Sequence, residues 1–147
     1  MSDTSSVTIS AGQSAPPAAN TALFQINAGG GALAPFAADQ YSSGGTAYTA
    51  NVAVSTSGVA NAAPAAAYQT ERYGNHSYTF GGLTASASYT VRLHFAETSF
   101  NQAGKRQFDV AINGARVLAS FDIFAAVERT RPWSATSQQR RRVLASS

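Results

Sequence analysis

From Ser88 to Glu97 the chain alternates with a period of two: Tyr89, Val91, Leu93 and Phe95 interleave with Thr90, Arg92, His94 and Ala96. A strand with one face on a core and the other in solvent produces this pattern, because successive side chains leave a strand on opposite sides. A second alternation follows, Phe108, Val110 and Ile112 around Asp109 and Ala111. Asn113-Gly114 then precedes Val117, Leu118, Phe121 and Ile123. Asn-Gly between two such runs predicts a tight hairpin, since both residues accept positive φ. Upstream, Leu23, Phe24 and Ile26 predict a short strand ended by Gly29-Gly30-Gly31, and Ser77-Tyr78-Thr79-Phe80 a strand closed by a Gly81-Gly82 turn. The Gly/Ser/Ala-rich region up to Gly58, carrying Tyr41 and Tyr48, predicts loops with short strands.

No ten-residue stretch before Val127 has the 3.6-residue apolar period of a helix. Strands separated by Gly-rich turns predict an all-β fold, an antiparallel β-sandwich or jelly roll. Residues 1–20 are rich in Ser, Thr, Ala and Pro, with one charged residue, Asp3, and predict a disordered leader or linker. The domain itself is expected over 21–127. Residues 128–147 lose the alternation and predict a disordered basic tail.

Composition agrees with a packed β domain: 147 residues, 44% hydrophobic, 12% charged, with 6 Tyr and 8 Phe. The net charge of +3 is unevenly placed. Up to Val127, five basic side chains oppose six acidic ones, which leaves the body at −1. The other five, Arg129, Arg131, Arg140, Arg141 and Arg142, face only Glu128. A phosphate-binding surface needs its cations on a folded face, so no nucleic-acid partner is expected. No apolar run approaches the roughly 20 residues of a membrane span, and no membrane partner is expected. The N-terminus shows no basic segment leading into an apolar stretch, and without Cys the redox compartment is undetermined.

Candidate chemistry is sparse. Glu71, Glu97 and Asp109 are the acids available for glycoside hydrolysis, but the sequence brings no two of them together. His76 and His94 lack neighbouring ligands, so neither metal nor other cofactor is expected. His94 falls on the strand face opposite the apolar one, where a solvated or hydrogen-bonded imidazole is expected. Glu71 and Arg72 are adjacent on a strand and must find separate partners. Tyr68, Tyr78 and Tyr89 read as packing residues. These residues predict no enzyme.

Three stretches, taken in order, narrow this further: Ile26-Asn27-Ala28-Gly29-Gly30, YQTERYG at 68–74, and the run SYTVRLHFAETSF (88–100), GKRQFDVAING (104–114), VLASFDIFAAV (117–127). Together they resemble the malectin domain, a carbohydrate-binding module, over residues 23–127. The resemblance implies a β-sandwich with a shallow, aromatic-lined cleft that binds glucose-type oligosaccharides of the maltose or nigerose kind. It also implies a place within a larger carbohydrate-active or surface protein, outside the cytoplasm. By the family's motif, Tyr73 and Phe100 correspond to sugar-contacting aromatics, Tyr48 (with Tyr41 as the weaker candidate) to a third, and Ser99 stands where the family has a Tyr. The family's contacting Asp lies beyond the matching region. Two of five contacts are thereby absent, each worth on the order of 1 kcal/mol, which predicts weak sugar binding. The alternative is a protein–protein or adhesion module with a degenerate sugar site.

After Val127 the sequence departs from the family's pattern, which continues through further strands. Codons can be chosen for 127–139 such that a frame displaced by one base reads GANKAVVRDFTA, a continuation of the family's kind. This predicts a domain short of its C-terminal strands, with apolar core exposed around Phe95, Phe108 and Phe121 and a tendency to aggregate.

Overall fold

The computed structural model of the chain describes residues 2–11, 22–84, 87–127 and 132–137. Its strands are β1 (Ser2–Ala11), β2 (Ser42–Thr49), β3 (Thr70–Leu83), β4 (Val91–Ala96), β5 (Gln107–Ile112), β6 (Ala115–Phe121) and β7 (Pro132–Ser137). A short 3-10 helix at Ala65–Gln69 and α1 at Ile123–Val127 are the helical elements among the described residues. The fold is all-β. A five-stranded sheet has the order β2-β3-β1-β5-β6, and β4 pairs with β7 in a second, two-stranded sheet.

The β5–β6 hairpin forms where the sequence predicts it. Asn113 and Gly114 sit at φ 50° and 76°, and Phe108 pairs with Phe121 across the ladder. Below it lies the main core: Phe108, Val110 and Ile123 are buried, with Leu93, Phe95, Val117, Leu118 and Phe121 packed against them. β4 contributes Leu93 and Phe95 to this cluster, so the apolar face of its alternation covers the hairpin. Phe95, Phe108 and Phe121 form a mutual ring cluster with centroids 5.1 to 6.0 Å apart. The bare apolar core expected around these three rings is not observed, because Phe108 is buried and its two partners are half-buried on it. A second, smaller cluster of Val54, Ala63 and Tyr68 packs against Phe36, Ala67 and Ala96.

Several sequence expectations need correction. The segment Ser2–Ala11, read from composition as leader, is the central strand of the large sheet and runs parallel to both neighbours, Ser5 opposite His76 on β3 and Ser2 opposite Gln107 on β5. Its Thr4, Val7, Thr8 and Ile9 favour extended backbone, but the pairing partners that order it lie 70 or more residues away, beyond any local pattern. The sheet is therefore mixed and not purely antiparallel. Gly81-Gly82 does not turn the chain: β3 continues through it to Leu83. Leu23, Phe24 and Ile26 form no strand, only an isolated bridge from Ile26 to Ala37. β7 lies within the segment read as basic tail. Glu128, Arg129, Arg131 and Arg140 to Arg142 lie outside the described residues, as does 12–20 of the expected leader.

Candidate functional site

β3 supplies the frame of the site. Its period of two puts Glu71 and Tyr73 on one face and Arg72 on the other. Arg72 turns to Asp39, donating from Nε (3.0 Å) and Nη2 (2.6 Å) to Oδ2, and from Nη1 to the Gly44 carbonyl. Asp39 also accepts from the Gly29 amide (2.9 Å) and, at Oδ1, from the Tyr78 hydroxyl (2.7 Å). Burial pushes the Asp39 carboxyl up, but hydrogen bonds from Tyr78, Arg72 and Gly29 outweigh it and leave it below the ordinary carboxylate range. Tyr78 is buried, and burial together with the Asp39 charge holds its hydroxyl protonated well above the usual phenol range. These bonds clamp the loop between residues 27 and 45 onto the back of β3.

Glycine is required at two points of that clamp. Gly29 has φ 72°, and a Cβ there would run into the Glu71 carbonyl oxygen. Gly45 has φ 66°, and its Cβ would come within 2.8 Å of the Tyr73 carbonyl oxygen and 2.9 Å of His76 Cβ. Asn27, buried beside Gly30, donates to the Gly31 carbonyl (2.9 Å) and accepts from Thr70 Oγ1 (2.8 Å). The Asn-Ala-Gly-Gly stretch thus presses the loop against the start of β3, directly behind Glu71.

On the front face, Tyr48 of β2 pairs with Glu71 of β3, and Tyr73 lies two residues further along. The rings of Tyr48 and Tyr73 meet edge to face, centroids 6.4 Å apart at 83°. They are 45% and 44% exposed, among the most exposed large apolar side chains described. Both open into a cleft of about 250 Å³ that Ser99 and Phe100 close from the other side. Tyr48, Tyr73, Ser99 and Phe100, singled out in the sequence through the family's motif, line one cavity. Tyr41 does not join them. It sits at φ 65° in a second exposed cluster, against Phe24 (5.6 Å) and Phe80 (5.7 Å).

The same cleft is lined by Glu71, Lys105 and Arg106, which sequence reasoning did not place there. Lys105 and Arg106 enter the sequence reading only within the GKRQFDVAING stretch; the available signal was Glu71, which needs a partner on the strand face shared with Tyr73. Arg106 donates to Glu71 Oε2 (2.6 Å) and lies 3.4 Å from Glu97 Oε2. Glu97 is 1% exposed, and its Oε1 accepts from the Ser99 and Phe100 amides (2.8 and 2.9 Å). The structure thus brings two acids to one guanidinium, as the sequence alone does not. Both Glu97 oxygens are held by these donors. Among the described residues no three His, Asp or Glu side chains converge as a metal site.

The packing tyrosines are where expected: Tyr68 and Tyr78 are buried, and Tyr89 accepts from the Thr84 amide. Of the two states expected for His94, solvated or hydrogen-bonded, the structure shows the second. It is half-buried, 3.0 Å from the Tyr68 hydroxyl, which also accepts from the Ala63 amide, with Phe36 edge-on at 6.2 Å. Burial, with a smaller contribution from Arg92, pulls its pKa below the ordinary imidazole range. The polar face of β4 is covered by the second core cluster, which the alternation in β4 does not reveal.

Comparison with known proteins bears on this geometry. The family model described as the malectin domain matches residues 22–139, past Val127 where the resemblance was expected to end. Malectin-B of Xenopus laevis is 38% identical over 61 residues, 41% of this chain and 22% of the relative. Malectin of Homo sapiens is 38% identical over the same length, 21% of the relative. The chain thus matches about a fifth of the length of these curated relatives. No solved structure matches it.

Proposed function

Because the chain belongs to the malectin domain family, we propose that it is a non-catalytic carbohydrate-binding module that takes a glucose-type oligosaccharide in the cleft between β2, β3 and the Ser99–Phe100 segment. The observation that carries this reading is the pair Tyr48 and Tyr73, nearly half exposed and held edge to face at the mouth of that cleft. A pyranose presents patches of C–H that stack on aromatic faces, while its hydroxyls need polar partners at the rim. Tyr73 and Phe100 supply rings on opposite walls, and Ser99, Glu71 and Lys105 supply the polar rim. Ser99 offers a hydroxyl where the family's motif offers a further ring, so the cleft stacks less area and binds weakly. As a module of a larger carbohydrate-active or surface protein, the domain anchors its host to a glycan.

Titration with maltose and with nigerose, followed by NMR, tests this. Tyr73→Ala abolishes binding while the spectrum stays dispersed. Binding that survives the substitution unchanged removes Tyr73 from the site. One observation favours a second reading, a protein-binding module: Phe24 and Tyr41 meet edge to face while 36% and 47% accessible, and the neighbouring Leu23 is 45% accessible. Under that reading the chain ignores both sugars, and Tyr41→Ala, but not Tyr73→Ala, reduces its association with a protein partner.

A further inference from the structure

Between β4 and β5 the chain buries Glu97 and Thr98 and then runs at the surface. Ser99 and residues 101–105 are exposed, and Phe100 is the half-buried ring among them. What fixes this ring is polar. The Phe100 amide is bonded to Glu97, and the Arg106 guanidinium lies over the ring, Cζ 5.3 Å from its centroid. That guanidinium is 14% exposed and held on both sides, forked onto Glu71 (Nη1 at 2.6 Å, Nη2 at 3.4 Å) and facing Glu97 through Nε. A planar fork suits this triple duty, since it pairs with carboxylates in its plane and stacks on a ring with its face. Glu71 in turn belongs to β3, where it sits opposite Tyr48 and two residues from Tyr73. Arg106 therefore connects the Phe100 wall of the cleft directly to β3, beside the bonds that tie the segment to Glu97 and, through the Gly104 amide, to Asp122.

We propose that Arg106 is the positioning residue of the cleft: clamped between Glu71 and the buried Glu97, it covers one face of Phe100 and sets that ring against Tyr73 and Tyr48 as a stacking surface for a neutral sugar. The inference rests on the carbohydrate reading of the cleft and names the ligand's charge class. Two carboxylates against one guanidinium leave a single negative charge, which Lys105 on the same cleft offsets. The floor is thus neutral as a whole, with its one buried anion already paired. An anionic sugar gains no net field there, while a neutral one meets no unpaired charge.

The test uses the whole chain as wild type, Arg106→Lys, Glu97→Gln and Tyr73→Ala, with two readouts. The first is aromatic ¹³C relaxation of the Phe100 ring without sugar, and the second is maltose affinity by NMR titration. Arg106→Lys keeps a cation between the carboxylates but loses fork and stack. It is expected to raise Phe100 ring mobility and weaken maltose at least about fivefold, with stability lowered by no more than the loss of one cation–π contact. Tyr73→Ala leaves Phe100 ring mobility as in wild type. Glu97→Gln keeps an acceptor for the two amides, drops the charge facing Arg106, and loosens the ring in the same direction. An unaltered Phe100 ring in Arg106→Lys, or in Glu97→Gln should the lysine variant not fold, overturns the proposal. Wild type that ignores maltose while Arg106→Lys loosens Phe100 instead overturns the carbohydrate reading and leaves the positioning role standing.

Discussion

Replacing Asp39 with Asn tests the clamp behind the site most directly. The carboxylate is 9% exposed and accepts from Gly29, from two Arg72 nitrogens and from Tyr78. An amide retains one acceptor, which the Tyr78 hydroxyl can keep, but it presents a donor to the Gly29 amide and to a guanidinium that is 17% exposed. Hydrogen bonds to charged groups contribute about 1.5–3 kcal/mol each, and stranding one partner of a largely buried pair costs about 3–5. The remaining exposure of Arg72 lets water recover part of this, so a loss of about 3 kcal/mol is expected. For a chain of this length that is a fall in Tm of about 10 °C. Urea unfolding followed by circular dichroism measures it. A double-mutant cycle with Arg72→Met should show a coupling of at least about 1 kcal/mol. A loss under about 1 kcal/mol, or no coupling, would refute the view that this pair holds the loop. The pH dependence has a fixed sign. The folded carboxyl titrates below its ordinary value of 3.8, so its contribution is complete above that pH and is lost as pH falls through the folded value. Asp39→Asn removes this part of the acid sensitivity.

His94 predicts a second, separate acid effect. Its folded pKa lies below the ordinary 6.5, so the unfolded chain binds the proton more readily. Stability is full above pH 6.5 and declines as the pH falls below it; His94→Gln flattens urea midpoints between pH 7 and 5, and a wild-type midpoint constant over that range counts against a neutral buried ring. Gly45→Ala forces a side chain into the left-handed region and against the Tyr73 carbonyl. It should destabilise by about 1–3 kcal/mol and shift the ring signals of Tyr48 and Tyr73, whereas a thermal melt equal to wild type rejects the tight register at that bulge.

The elements that could be read from the sequence are those whose determinants are local. Asn113-Gly114 carries its turn geometry in two residues, and the alternation from Phe108 to Ile112 names the face that meets the core. The family was legible for the same reason, in short ordered motifs. β1 was not, because Ser2–Ala11 has a composition that stays extended only when two strands flank it. The meeting of Tyr48 with Tyr73 depends on the register shift between Gly44 and Thr46, which alternation does not encode. Glu71 and Glu97 are brought together by Arg106, and nothing local in the sequence marks that residue as the link. For His94 the sequence left open solvent or a hydrogen-bonded partner, and the structure shows the second; a period of two reports which side of a strand is apolar and is silent on what covers the other.

The parallel central strand has a consequence for biosynthesis. Within the described sheet it is the first strand to leave the ribosome, yet its pairing partners begin with His76 and Gln107. It must wait, extended and unpaired, until most of the chain has been made, while the β5–β6 hairpin can close as soon as it emerges. Folding is then gated by the arrival of the earliest-made strand between two late ones, a long-range search of the kind that slows β proteins and keeps sticky intermediates alive. Chaperone demand during translation should track this one docking event, more than the strength of the finished core.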